Sequence, residues 1–173
     1  MAAVTSKQQE IIEAVVTRLA TINGTGDYNT DFDGRVADSR TDWTAGDPET
    51  DQDSELPAAS VFELPVEVTE ASQQHGRRKV IHIMPLLIKI FLRRETTPEN
   101  ARLAVADVMR AILGTGTQAD NWLAERFPDG SGKGLTMETR PRRHGIEYAE
   151  GSFEIVGANV EIEIIFITPK WEM

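Results

Sequence analysis

Residues 159–168 read NVEIEIIFIT, a run in which Val160, Ile162, Ile164 and Phe166 alternate with Glu161 and Glu163. A period of two sends the two sets to opposite faces of a β-strand. The apolar set therefore faces a core, and the face that carries the glutamates is wet or partnered. Upstream, Leu135–Arg140 and Ile146–Val156 read as two further strands, so that these runs form a closing three-strand meander with Asn159–Thr168. Lys79–Arg94, KVIHIMPLLIKIFLRR, is a longer apolar stretch rich in β-branched residues. Pro85 in its middle has no N–H for the ladder, which predicts an edge strand or a bulge at that point. Ala58–Val68 offers two short extended runs broken at Pro65.

Helical spacing occupies two other stretches. In Ser6–Ile22, Ser6 is a candidate cap with Gln9 three residues on, Ile11, Ile12, Val15, Val16, Leu19 and Ile22 recur on one side, and Gly24 supplies a stop. A second helix starts at Thr97, with Thr97 as N-cap, Pro98 in the tolerated first position and Glu99 against the positive end of the dipole. Its expected buried stripe is Leu103, Ala106, Met109, Ile112 and Leu113, and Gly114 ends it. A short third helix is expected around Gln118–Phe127.

The 173 residues suffice for one domain that buries about 70% of its surface. With 40% apolar and 27% charged residues the composition is globular, which excludes collagenous and wholly disordered classes. The chain has no cysteine, so disulfides, thiolate zinc sites and cysteine nucleophiles are excluded together. The start, MAAVTSKQQEIIEAVV, lacks a basic region followed by an apolar core, and the longest uncharged apolar run is Ile83–Ile88, far short of the ~20 residues of a membrane span. A soluble chain made in the cytoplasm is the expectation. Of the net charge of −10, Asp27–Pro57 holds −8 from ten acids and two bases. Two small basic clusters, Arg77-Arg78-Lys79 and Arg140 with Arg142-Arg143, are too small for a phosphate-gripping stripe. Asp27–Pro57 carries almost no periodicity, and a structureless loop of that length in a compact domain is normally functional or disordered.

Motifs of catalysis and ligand binding fail on spacing. Asp47, Glu49, Asp51, Asp53 and Glu55 stand at every second position, but a calcium loop opened at Asp47 would put Gln52 and Ala58 where glycine and glutamate are required. They read as a solvated charge run, with a loose divalent-cation site and a surface for a charged partner as the alternatives. Gly130-Ser131-Gly132-Lys133-Gly134 lacks the glycine spacing and the Lys-Ser/Thr step of a phosphate loop, and Ser131 lacks the flanking glycines of a nucleophile elbow. His75 and His82 have no histidine or carboxylate at helical spacing, and His144 and Glu147 fall in a strand-like run, so no metal site is pre-arranged. His82 reads as a core or interface residue. No frame of paired carboxylates is present either, and the expectation is no catalytic centre, no metal and no cofactor.

The opening helix, the turn Asp27-Tyr28-Asn29-Thr30-Asp31 with Gly34-Arg35-Val36, and the segment Leu56-Pro57-Ala58-Ala59-Ser60-Val61-Phe62-Glu63 resemble the tail terminator proteins of long-tailed bacteriophages, also called tail completion or tail-to-head joining proteins. The resemblance continues through Leu86-Leu87-Ile88-Lys89-Ile90, the helix Asn100–Leu113 before Trp122-Leu123, and the closing Ile165-Phe166-Ile167. Thr41–Glu55 looks like an extension of that pattern. The resemblance implies an α/β fold of one sheet with helices packed on it. With the elements read above, the expectation is an α/β (α+β) domain over 1–173: one mixed, mostly antiparallel sheet, two main helices on it, and a long acidic loop at about 27–57. It further implies a structural virion protein, at the head-proximal end of the tail and in the host cytoplasm during assembly. There it would form a hexameric ring that caps the tail tube, ends tail polymerisation and meets the head-side neck or connector protein. DNA would pass through the lumen without specific binding. Another neck or tail component, a small-molecule-binding module and an enzyme stay open as alternatives. Ala37–Glu55, with seven acids against Arg40, is expected to be mobile in a free monomer, since it offers no apolar stripe to offset its ordering entropy. Asp47, Glu49, Asp51, Asp53 and Glu55, and on the other side Arg77, Arg78, Arg140, Arg142 and Arg143, are the candidate contacts to a neighbouring subunit or the neck.

Overall fold

A computed structural model describes residues 7–44, 54–70, 79–93, 95–114 and 136–169. The elements in chain order are α1 (Lys7–Leu19), β1 (Val36–Asp38), β2 (Ala58–Glu63), β3 (Glu67–Glu70), β4 (Lys79–Phe91), α2 (Pro98–Leu113), β5 (Thr136–Tyr148) and β6 (Ile155–Pro169). Among the described residues, the strands make one sheet in the order β1-β2-β4-β6-β5, with β3 added to the far end of β4. Only β1 and β2 run parallel; every other pair is antiparallel. The fold is α+β, a single mixed and mostly antiparallel sheet with two helices, as the sequence reading has it.

The period-two reading of β6 holds. Val160, Ile162, Ile164 and Phe166 are buried, and they face the helices beside Met84, Leu86, Ile88 and Ile90 of β4. α1 adds Ile11, Ile12, Val15 and Leu19, and Ile22 follows through the turn that Ile22 N–H closes by donating to Leu19 O at 3.0 Å. Each such side chain contributes about 1.5–3 kcal/mol through removal from water.

Three expectations need correction. β4 is neither an edge strand nor bulged: its pairing with β6 runs unbroken from Lys79↔Pro169 to Phe91↔Gly157. Pro85 is tolerated because its other side faces the gap between β2 and β3, where Leu64 N–H donates to Pro85 O at 3.0 Å and the residue makes no ladder demand. The C-terminal meander is a two-stranded hairpin, because β5 runs straight through Arg140–Gly145 where a break was expected. Pro141 and Gly145 do not stop it because β5 is an edge strand, and register shifts at Thr136/Glu138, Pro141/Arg143 and Glu147/Tyr148 absorb the irregularity.

The third correction concerns α2. Its cap is as read: Thr97 Oγ1 accepts from Asn100 N–H at 3.2 Å, and Gly114, at φ 84°, ends the helix. Its buried face, however, is Ala101, Ala104, Val105, Asp107, Val108, Ala111 and Ile112, while Leu103 and Ala106 are exposed and Met109 is half-buried. Of the expected stripe, Ile112 is buried and Leu113 half-buried, whereas Leu103 and Ala106 are not. Small residues let the helix sit close over β5 and β6, with Leu103 at the surface and Met109 packed half-buried against the core. The expected helix at Gln118–Phe127 lies outside the described residues.

Part of the long acidic segment is built into the domain. Asn23 and Asp31 form a bridge, Phe32 is wholly buried, and Val36–Asp38 pair with Ala59–Val61. The Leu56–Pro57 peptide is cis.

Candidate functional site

The candidate contact residues divide into three groups by where the fold puts them. Asp47, Glu49, Asp51, Asp53, Arg77 and Arg78 lie outside the described residues. Glu55 does not join a free acidic run. Its carboxylate accepts from both Arg40 Nη2 (2.9 Å) and the Thr44 N–H (2.8 Å), while Glu55 N–H donates to Thr44 O at 2.9 Å. Arg40 also reaches Asp42 through Nε at 3.0 Å and stacks 4.0 Å above the Trp43 ring. Trp43 Nε1–H then donates to Ser60 Oγ at 2.9 Å, which seals Ser60 on the sheet face away from the helices. The Thr44 N–H and Arg40 hold the Glu55 carboxyl below the usual carboxylate range, and Arg40 does the same to Asp42. Residues 37–44 and Glu55 thus have contacts within the chain, the Trp43–Ser60 hydrogen bond and the Arg40 ion pairs, which the reading of a mobile 37–55 did not foresee.

Arg140, Arg142 and Arg143 come together along β5, each with a partner in its own chain. Arg142 reaches Glu161 at 3.0 Å and Glu163 at 3.1 Å, Arg143 pairs with Glu161, and Arg140 pairs with Glu138. Glu161 is only 4% exposed. The glutamates that the alternation of β6 placed on a wet or partnered face are thus covered by arginines of the adjacent strand, and the Arg140 guanidinium draws the Glu138 carboxyl below its ordinary range. An arginine already engaged in this way offers its exposed side to a further carboxylate, as it still has donors to spare.

His82 is buried, stacks on Phe166 with centroids 4.7 Å apart, and shares a 2.7 Å hydrogen bond between Nε2 and Thr168 Oγ1. Burial pushes its pKa below the ordinary value, with a smaller push from Lys7. Among the described residues, no three His, Asp or Glu side chains gather as a metal-binding group.

Two groups with a role here were not singled out in the sequence. Asp107, on the buried face of α2, accepts from Asn29 N–H (2.8 Å) and Thr30 N–H (2.7 Å). Its signal is an acid at helical spacing from Ala104 and Ala111. Phe153 is 98% exposed in the turn between β5 and β6. It was read as part of a strand, where alternation would have given it a neighbour.

No protein-family model and no curated protein matches the chain. Among solved structures it is similar to a chain of the virion of a native gene transfer agent particle, at 14% sequence identity and a TM-score of 0.43, over 89% of this chain and 92% of that one. No helix among the described residues is long and apolar enough to cross a membrane.

Proposed function

We propose that the chain is a non-catalytic structural protomer of a phage-type virion, of the tail terminator kind: a ring that caps the tail tube, stops its growth and offers its other side to the head-side neck. The observation that carries this reading is the way the resembling segments meet in space. The turn Asn29-Thr30 is fastened by its backbone to Asp107 in the middle of α2. The Leu56 and Pro57 carbonyls accept from Arg93 Nε (2.8 Å) and Arg35 Nε (3.2 Å), the two arginines coming from the end of β4 and the start of β1. Segments distant in sequence are thereby the joints of one framework, which supports reading them together as one pattern. The partly exposed arginine–glutamate ladder on β5 and β6 gives such a protomer a polar lateral surface.

Mass measurement in solution tests the ring. The expected particle is near six times 19.2 kDa, about 115 kDa, and a chain that stays monomeric up to about 100 μM would refute it. Addition to a growing tail tube separates the terminator from another neck or tail component, because only a terminator halts elongation at substoichiometric amounts.

A further inference from the structure

The β5–β6 hairpin closes through a tight turn in which Ala149 N–H donates to Glu154 O at 2.8 Å and Ser152 N–H to Ala149 O at 3.0 Å. Phe153 stands on it almost wholly in water, with Tyr148 (49%) and Val156 (42%) exposed on either side. Three large apolar side chains exposed within residues 148–156 of one hairpin exceed the scattered exposure of ordinary surfaces and mark a candidate contact. The tip is acidic too, since Glu150 and Glu154 bracket Phe153.

On the helix side of the sheet, α2 and β5 leave an open apolar cavity of about 460 Å³. Val105, Ala106, Met109 and Ile146 form its apolar walls, and the exposed side chains of Arg102 and His144 add basic groups.

We propose that the Phe153 tip of one copy seats in the α2–β5 groove of a second copy of this chain. The match is chemical at two levels: an aromatic knob meets an apolar wall, and the glutamates flanking the knob meet Arg102 and His144, which fixes the direction of entry. A chain cannot fill its own groove in this way, because Ile146 is held in the groove wall by its pairing with Ala158 and β5 carries the chain onward to the turn. Tip and groove are different surfaces, so the contact is head-to-tail and closes into a ring when the rotation per copy permits. The inference rests on the assembling-protomer reading above and names its interface.

The absence of cysteine makes the test direct. Phe153→Cys and Met109→Cys chains are prepared separately, mixed and oxidised, since a disulfide forms only when the two backbones approach within roughly 7 Å. The expected result is a cross-linked dimer from the mixture and none from either variant by itself. Phe153→Asp should weaken self-association more than about tenfold with an unchanged melting temperature, because a side chain that exposed does not support the fold. A Phe153→Asp protein that assembles like the parent, a mixture that fails to cross-link, or a cross-link from one variant by itself overturns the inference and leaves the ring reading standing. A tip-dependent assembly of two copies keeps the inference and ends the ring. A parent chain that is monomeric up to about 100 μM ends both.

Discussion

Asp107 shows how much one side chain can hold in place here. It is 1% exposed, and its carboxylate accepts from two consecutive backbone N–H groups that have no strand or helix to serve them. Asp107→Ala leaves both donors short of a partner, and at about 1–3 kcal/mol per orphaned group, reduced by water reaching the loop, the expected loss is about 2–4 kcal/mol. Urea unfolding measures it, and a loss below about 0.5 kcal/mol would show that the loop is held by something else. His82 gives a pH signature. Burial, then Lys7, lowers its folded pKa from the ordinary 6.5, so as pH falls the unfolded chain takes up the proton first. Stability is therefore full above about pH 6.5 and declines as pH falls from there toward the folded pKa. Unfolding midpoints at about pH 7.5 and 5.5 should differ in the parent and differ less in His82→Phe, whatever the variant's absolute stability. An unchanged difference would place the titration on another group. The depressed Glu55, Asp42 and Glu138 carboxyls act in the same direction but lower, near and below pH 4.5, where their ion pairs are lost on protonation.

At the level of elements, the β4–β6 pair is the spine, and its tightest point is Gly157. A Cβ built there would stand 2.6 Å from the Ile90 carbonyl oxygen, a backbone atom that cannot swing aside. Gly157→Ala is expected to cost about 1–3 kcal/mol, a drop of roughly 5 °C in Tm, by forcing the two strands apart. At Gly145, in contrast, the added carbon meets only Asn159 Oδ1 at 3.7 Å, so Gly145→Ala should stay within about 0.5 kcal/mol. Equal effects at the two glycines in thermal melts would count against this account. The period of two in β6, the apolar length of β4 and the cap at Thr97 were legible in the sequence because each is a local signal. Pro85 was misread because what tolerates it, the gap between β2 and β3, is created by Leu64–Val66, which lie far away in the chain. The face of α2 was read only in part, Ile112 being buried as expected and Leu103 and Ala106 not, because which side of a helix meets a sheet depends on both partners and the spacing of apolar residues shows one. Of the candidate contacts, the arginines of β5 were found as a cluster, while the face of Glu161 and Glu163 was left open as wet or partnered, since pairing across strands is a property of register.

For the whole molecule, the distribution of charge bears on DNA. A ring through which a genome slides must not grip phosphates, and a protein grips them when lysines and arginines release counterions from the duplex. Here the net charge is −10, and the most conspicuous arginines are already engaged: Arg142 and Arg143 with Glu161, Arg142 with Glu163, Arg140 with Glu138. An Arg142 that left Glu161 for a phosphate would strip one of two arginine partners from a carboxylate that is 4% exposed, so only its spare donors are open to an anion. The same pairs leave the surplus of acids to set the sign of the open surface, which repels the duplex at a distance of about one Debye length. The expected outcome is duplex binding weaker than micromolar at about 50 mM salt, with little further change at about 200 mM. Submicromolar binding that falls steeply between those two salt concentrations would mean that the arginines leave their glutamates for the backbone, and the chain would then be a DNA-gripping component of the neck.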